Sequence, residues 1–549
     1  MTVNTNFVPQ LINVPSSPKL KFILLVVVVI TAITVLGSWM WSRHSQNPTP
    51  QGTRPRRAGP GGQEIRLKSG GNLQAAVNQA ELGDTIVLEP GGTYMGPITL
   101  PKKDGDTYLT IRTSNLAGIS KEGERINPSH AGAMPKILCP ANDSAVRTAD
   151  QAHHYKFIGV EFTIAPNASY VYNLINLGED NYKSAAQFPH HLVFDRCYVH
   201  SPALNKIRRG IALNSGEASV LNSYVSGFAG AGDETQAIAG WNGPGPFHIV
   251  NNYLEAGAEI VLFGGGDPSI QGLVPSDIEI RRNHFYRPTE WAGKATVKGN
   301  FELKNARRVV IDGNLIDSEI RMTAFVLTVR NQSGGAPWST IEDVEITNNI
   351  VKHASTGVNI LGVDNQAPSQ EAKRIRVANN LFLDIVNPGD MAYFFQVSGS
   401  DSVTVDHNTV EQAGNIINGY GEPAKNFTFT NNIVQFNNYG IACFIQGTKT
   451  CGSISYCRCF SQMTLRGNVI VDNANVSASF SVSDAFPPGN FLAASFQKIG
   501  FVDYLKGDWR LLPSSSYRNR ATDRSNPGVD FDQLNAAQAN PALSGSAPQ

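Results

Sequence analysis

One hexapeptide pattern recurs along this chain and limits what it can fold into. In Ile249-Val-Asn-Asn-Tyr-Leu, alternating residues run into an asparagine, and an aromatic or aliphatic residue follows. The pattern returns as Ile280-Arg-Arg-Asn-His-Phe, Ile346-Thr-Asn-Asn-Ile-Val and Phe429-Thr-Asn-Asn-Ile-Val, among others. Its marker residues are Asn222, Asn252, Asn283, Asn314, Asn349, Asn380, Asn408, Asn432 and Asn468. They lie 30, 31, 31, 35, 31, 28, 24 and 36 residues apart. A period in that range marks a stack of units, none of which can bury its apolar face alone. The units are strands, because Asp277-Ile-Glu-Ile-Arg and Asp343-Val-Glu-Ile-Thr alternate polar and apolar residues. Asparagine tolerates left-handed backbone geometry, and it can hydrogen-bond to its copies above and below. The markers are therefore expected to be structural, at the same bend of every coil.

A continuous repeat in 549 residues favours one elongated domain, here 64–535. The balance of 45 basic and 45 acidic residues argues against a nucleic-acid partner held by bulk electrostatics. After a polar lead at 1–21, residues 22–41 carry no charge, and about 20 such residues span a bilayer. Trp39 and Trp41 would sit at the interface. No small-x-small cleavage site follows, so Phe22 to Trp41 reads as an uncleaved transmembrane anchor. Arg43, Arg54, Arg56 and Arg57 outnumber Lys19 and Lys21 across it, a balance that opposes export of the carboxy-terminal part. The cysteines and the fold favour export, and a periplasmic or extracellular domain is expected. Residues 42–63 form a Pro/Gly linker, and 536–549 a disordered tail.

Cys139 and Cys197 read as small buried residues. Cys443, Cys451, Cys457 and Cys459 crowd into 17 residues, with a spacing unlike the paired C-x2-C of zinc sites. They predict a loop stapled by one or two local disulfides.

At the start of the folded part, Asn72 can cap a helix from Leu73 to Leu82, with Leu73, Ala76, Val77 and Ala80 on one face. Such a helix would cover the open end of a stack. Gly71-Asn-Leu-Gln-Ala-Ala-Val, then Gly83-Asp-Thr-Ile-Val-Leu-Glu-Pro-Gly-Gly-Thr-Tyr, resembles the opening of right-handed parallel β-helix proteins of the pectate-lyase-like superfamily. The resemblance covers 64–535 and implies an all-β solenoid. That fold carries lyases, hydrolases, epimerases and binding proteins, so function has to come from the site.

A second column follows from segments ending Ala212-Leu-Asn, Gly240-Trp-Asn, Leu262-Phe-Gly, Leu303-Lys-Asn, Val329-Arg-Asn and Val363-Asp-Asn. A common bend would put Leu213, Trp241, Phe263, Lys304, Arg330 and Asp364 in one register. Alternation places Phe301 and Leu303 inside and Glu302 and Lys304 outside, with Glu259 outside by the same count. Coils stack ~4.8 Å apart, so Lys304 and Arg330 would form a cationic strip that calls for an anion. A neighbouring cation favours a neutral lysine, which prepares it as a base. Long insertions at 264–275, 331–338 and 365–370 would wall this strip. Trp241 and Trp338 could stack on sugar rings, with Asp267, Asn331 and Asp364 as further substrate contacts.

Phe301-Glu-Leu-Lys-Asn and Leu327-Thr-Val-Arg-Asn resemble strands of the chondroitinase B and alginate lyase branch, where a lysine base and an arginine sit on successive coils. The resemblance implies that Lys304 takes the C5 proton beside a uronate carboxylate. Arg330 would stabilise the enolate or protonate the leaving oxygen. A calcium ion held by Glu259 and Glu302 would neutralise the carboxylate. The implied function is β-elimination of an acidic polysaccharide. The alternatives are a non-catalytic glycan-binding or surface-structural protein, or a hydrolase or epimerase on the same fold. No paired-aspartate signature of polygalacturonases is present. His153-His154 and His190-His191 lack a third ligand at a readable spacing and are not expected to hold a metal.

Overall fold

The computed structural model of the chain describes residues 62–390, 392–437, 439–444, 458–472 and 486–539. The lead at 1–21, the segment 22–41, nearly all of the linker, Cys451 and Cys457 lie outside these residues. Among the described residues no helix is long and apolar enough to cross a membrane.

Each coil contributes three short strands, such as Ser276–Arg281, His284–Arg287 and Phe301–Leu303. Each strand pairs in parallel with its counterpart one coil further on: Ile280 with Ile311, Phe285 with Ile316, Leu303 with Leu327. Repetition builds two 14-stranded sheets and one 12-stranded sheet. This is a parallel β-helix, with the right-handed connection that parallel strands favour. Like residues fall in line inside it. Ile249, Ile280, Ile311, Ile346 and Val377 pair in sequence and are fully buried. Burying one such side chain stabilises the fold by about 1.5–3 kcal/mol.

The asparagines form a ladder. Asn283 Nδ2 donates to Asn314 Oδ1 at 3.1 Å, Asn314 to Asn349 at 2.9 Å, and Asn349 to Asn380 at 2.9 Å. The same Oδ1 accepts the preceding marker's backbone N–H, and each Nδ2 also reaches a carbonyl on the coil behind. The ladder runs from Asn252 through Asn468 to Asn490, one coil beyond the expected last rung.

Two expectations change here. The ladder asparagines are not the left-handed residues; their predecessors are, including Asn251, Arg282, Asn348, Asn379 and Asn431. Asn222 belongs to that left-handed row, with φ 51°, and Ser223 holds the ladder position, its N–H donating to Asn252 Oδ1 at 2.8 Å. The left-handed residue makes the bend, and the next side chain turns inward to saturate it.

A helix spans Leu73–Gln79, with Asn72 Oδ1 accepting from Ala75 N at 2.9 Å and Leu73, Ala76 and Val77 buried. It ends before Leu82 because Ala80 is already extended and Gly83, at φ 96°, turns the chain into the strand Thr85–Leu88. A disulfide joins Cys443 to Cys459, with Cα atoms 5.8 Å apart, while Cys139 and Cys197 are free and buried.

Past the last stacked strand, Phe491–Ala493, the chain makes a small antiparallel pair, Phe501–Asp503 with Asp508–Leu511. It then returns along the outside of the asparagine bends. Thr522 N donates to Asn431 Oδ1 at 2.8 Å, and Asp530 N to Asn379 Oδ1 at 2.6 Å. A helix, Phe531–Gln538, closes this segment and runs past the boundary expected at 535.

Replacing Asn349 with leucine removes three hydrogen bonds to Asn314 and Ile311: those it accepts from the backbone N–H and from one side-chain N–H of Asn314, whose amide keeps Ile280 O, and the one it donates to the Ile311 carbonyl. The expected loss is about 3–9 kcal/mol, at about 1–3 kcal/mol for each of the three, read as a lower midpoint of urea unfolding. Asn222→Ala, outside the ladder, should cost less than half of that. Equal losses would contradict the assignment of the ladder.

Candidate functional site

The 12-stranded sheet carries a cleft of about 410 Å³ lined by Arg209, Glu234, Gln236, Trp241, Lys304 and Gln332, among others. The pairing of its strands settles which side chains face it. Gly240 pairs with Phe263, Phe263 with Leu303 and Leu303 with Leu327, so Phe263 stands in a core row. Trp241 and Lys304 come one residue after that row, on the outside. Arg330 comes three residues after it, because Thr328 and the fully buried Val329 lengthen this strand's exit. The straight column expected from the bends is therefore broken. Lys304 and Arg330 still sit on adjacent coils, with Arg330 N donating to Lys304 O at 2.9 Å.

Their side chains have separate partners. Arg330 Nη1 donates to Asp364 Oδ1 and to Asn365 Oδ1, both at 2.7 Å. Burial pushes the Asp364 carboxyl up, but the N–H groups of Asn331 and Gln366, with Arg330, outweigh it and hold it below the usual range. Lys304 Nζ lies 3.7 Å from Glu302 Oε1. The anion called for by the cationic strip is thus supplied twice, by Asp364 and by Glu302.

Glu302 faces away from the core as alternation requires, with Phe301 and Leu303 fully buried behind it. Glu259 is not on an exposed strip: it is fully buried. Its Oε2 accepts from Gln236 Nε2 at 2.7 Å, while its Oε1, 3.7 Å from Lys298 Nζ, receives no hydrogen bond. Lys298 also pairs with Glu234. Three carboxylates and two ammonium groups thus form one connected cluster. Burial raises the Glu302 carboxyl to about 7; Lys304 opposes this and Glu259 adds to it. Below them Arg287 is fully buried, donating to Ala256 O, Ala258 O and Asn300 Oδ1. Burial lowers its guanidinium to about 10, against the pull of Glu259. The buried Glu259 and Glu302 carboxyls, which share a hydrogen bond when Glu302 is protonated, offer oxygen ligands of the kind a hard divalent cation such as calcium takes.

At the other side of the cleft, Arg209 lies 4.8 Å from the centre of the Trp241 ring and donates to Gln236 Oε1 at 2.9 Å. Trp241 thus presents a partly exposed ring to the cleft. The remaining residues read from the sequence as substrate contacts are placed in the wall. Asp267 Oδ2 accepts from Ser333 N and Gly335 N at 3.0 and 2.9 Å, and Trp338 Nε1 donates to Leu273 O at 2.9 Å. Asn331 Nδ2 donates to Pro368 O, and Asp364 Oδ2 accepts from Asn331 N, both at 2.8 Å. The three long insertions are fastened to one another by these groups.

Lys298 and Arg287 were not legible as site residues. Lys298 comes from the lead into a strand and carries no periodicity. Arg287 had a signal, a cation at an inward-facing position of the strand His284–Arg287.

No known protein family matches the sequence, and no curated protein does. Among solved structures, a family 6 polysaccharide lyase, an alginate lyase, is 13% identical with a TM-score of 0.47, over 88% of this chain and 59% of its own. An α-1,3-glucanase from Streptomyces thermodiastaticus strain HF3-3 is 13% identical with a TM-score of 0.46, over 77% of this chain and 69% of its own. The Dettilon tailspike protein is 12% identical with a TM-score of 0.39, over 68% of this chain and 64% of its own. The chain thus spans less than two thirds of the alginate lyase and of the tailspike. A lyase, a glucanase and a tailspike stand side by side here, and these likenesses concern the fold alone.

The raised Glu302 carboxyl makes a pH prediction. The folded chain holds this proton more tightly than the unfolded chain, so its contribution is full at low pH and is lost as pH rises through about 7. Between about pH 5 and 8 the unfolding midpoint should fall for this reason, and Glu302→Gln should flatten the fall. A variant with an unchanged pH slope would contradict it.

Proposed function

We propose that this chain is an exported polysaccharide lyase that cleaves an acidic, uronate-containing polysaccharide by β-elimination. The observation that carries the reading is Lys304 bordering a walled cleft, 3.7 Å from a buried carboxylate and one coil from Arg330. Lys304 in its neutral form takes the C5 proton, and the electron pair left behind spreads into the substrate carboxylate. Collapse of this enolate forms the C4–C5 double bond and breaks the C4–O bond, and the leaving oxygen takes up a proton. Arg330, oriented by Asp364 and Asn365, is assigned to the enolate and the leaving-oxygen side. Trp241 offers a sugar-stacking face, and the wall fastened by Asp267, Asn331 and Trp338 keeps the chain of sugars in place. Glu259 and Glu302 would hold a calcium ion whose charge neutralises the substrate carboxylate.

Two finer points belong to the same reading. Residues 22–41 anchor the domain in a membrane, with the β-helix on the oxidising side that the Cys443–Cys459 disulfide favours. The helix Leu73–Gln79 closes the amino-terminal end of the stack.

Incubation with uronate polysaccharides should release unsaturated ends, followed by their ultraviolet absorbance. Lys304→Ala should lower kcat/KM by at least about 100-fold, the lower range for loss of a general base. Full activity in that variant would end the proposed mechanism. Binding with no unsaturated product would favour a glycan-binding β-helix.

A further inference from the structure

The two histidine pairs, 37 residues apart in sequence, stand on adjacent coils at the start of paired strands, His153–Ile158 and His190–Asp195. His190 pairs with His153 and Leu192 with Tyr155, which sets His191 beside His154. His154 and His191 take left-handed backbone geometry, at φ 58° and 54°. That step interrupts the inside–outside alternation. Both members of each pair stay at the surface, half-buried, while Tyr155 and Leu192 return to the core.

The same position on later coils holds Asp277, Arg308, Asp343 and Arg374, all left-handed. There the side chains alternate in charge, and Arg308 pairs with Asp277 at 2.6 Å and Arg374 with Asp343 at 2.5 Å. On the two histidine coils this position carries imidazoles in place of an ion pair. The rings stack across the coils, His153 on His190 with centroids 5.0 Å apart and His154 on His191 at 4.4 Å. Within each coil the Nδ1 atoms meet, at 2.8 Å for His153 and His154 and at 2.6 Å for His190 and His191. One ligand nitrogen from each of His154, His190 and His191 lies within 4.8 Å of the others.

Nitrogens this close cannot all carry protons, so lone pairs must face the space between the rings. A second observation points the same way. Glu217 Oε2 lies 3.2 Å from His191 Nε2, on the far side of the ring from the cluster. A carboxylate there accepts a hydrogen bond from Nε2–H and leaves Nδ1 as the lone-pair nitrogen, the arrangement that orients metal-ligating histidines. Burial, then the neighbouring rings of His191, His153 and His190, push His154 down to about 4, which keeps it neutral. Asp104 and Asp106 act on these rings as anions and Lys102 as a cation.

We propose that His154, His190 and His191, with His153 beside them, bind one divalent late transition-metal ion of the zinc, nickel or copper class. Imidazole nitrogen suits those metals, whereas calcium takes oxygen ligands, so this site and the acidic cluster select different ions. The bound ion clips two successive coils together, and binding to the folded form alone raises stability.

The test is to strip the full-length, detergent-solubilised chain, carrying no histidine tag, with chelator and titrate it with Zn²⁺. One equivalent per chain and a higher unfolding midpoint are expected. The His154→Ala/His191→Ala double variant should weaken binding by more than about 100-fold, and Glu217→Gln by about 10-fold, as for loss of an orienting carboxylate. His248→Ala, at an unrelated surface histidine, should bind as the parent does. If the double variant does not fold, Cu²⁺ added to the parent chain reads the site directly through nitrogen hyperfine structure in its electron paramagnetic resonance spectrum. Absence of a bound equivalent, binding indifferent to the histidine substitutions, or a copper spectrum without nitrogen ligation would each overturn the proposal.

Discussion

Everything in this solenoid depends on how the buried bend of each coil satisfies its polar groups. A bend turns backbone N–H and C=O groups away from the strand ladders, and burying them unpaired is costly. The asparagine ladder answers with one side chain per coil. Its amide reaches one carbonyl behind and one side chain ahead, and its oxygen accepts from a backbone N–H and from the neighbouring amide. With that column saturated, the three sheets can stack at strand spacing, and the outward positions are free to carry chemistry.

The cleft illustrates what such freedom allows. Its lining carries Glu234 and Lys304, and beside them Lys298 and the buried Glu259 and Glu302 complete one charged cluster, with Arg287 underneath. Buried ions are tolerated when they are paired, and removing one partner leaves the other uncompensated. The wall above is rigid for a different reason, because its loops hydrogen-bond to one another through Asp267, Asn331, Asp364 and Trp338. A reactive group positioned by strands below and by cross-linked loops above has little freedom to wander, which is the condition for oriented chemistry.

The fold was legible because its signal is periodic. Markers some 30 residues apart and two-residue alternation survive any uncertainty about individual bends. The site was legible only in outline. Alternation placed Glu302 and Lys304 outside correctly, but counting back from the bend failed at Arg330, because Val329 turns inward and lengthens the exit. Glu259, expected outside, is fully buried; Val261 and Phe263 hold the core row here and Leu262 lines the cleft, so alternation counted from them does not put Glu259 outside. The histidine pairs were set aside for want of a third ligand. Their partners are one coil away, a relation visible only once strand pairing fixes which residues of successive coils coincide.

The returning carboxy-terminal segment has a consequence for how the stack comes apart. An array held only by nearest-neighbour contacts frays one repeat at a time from its free end. Here Thr522, Asp530 and Gln538 fasten to Asn431, Asn379 and the carbonyls of Asn348 and Asn314, spanning several coils. The final third of the solenoid is laced like a spine by its own tail, so its rungs must let go as a block rather than peel off singly.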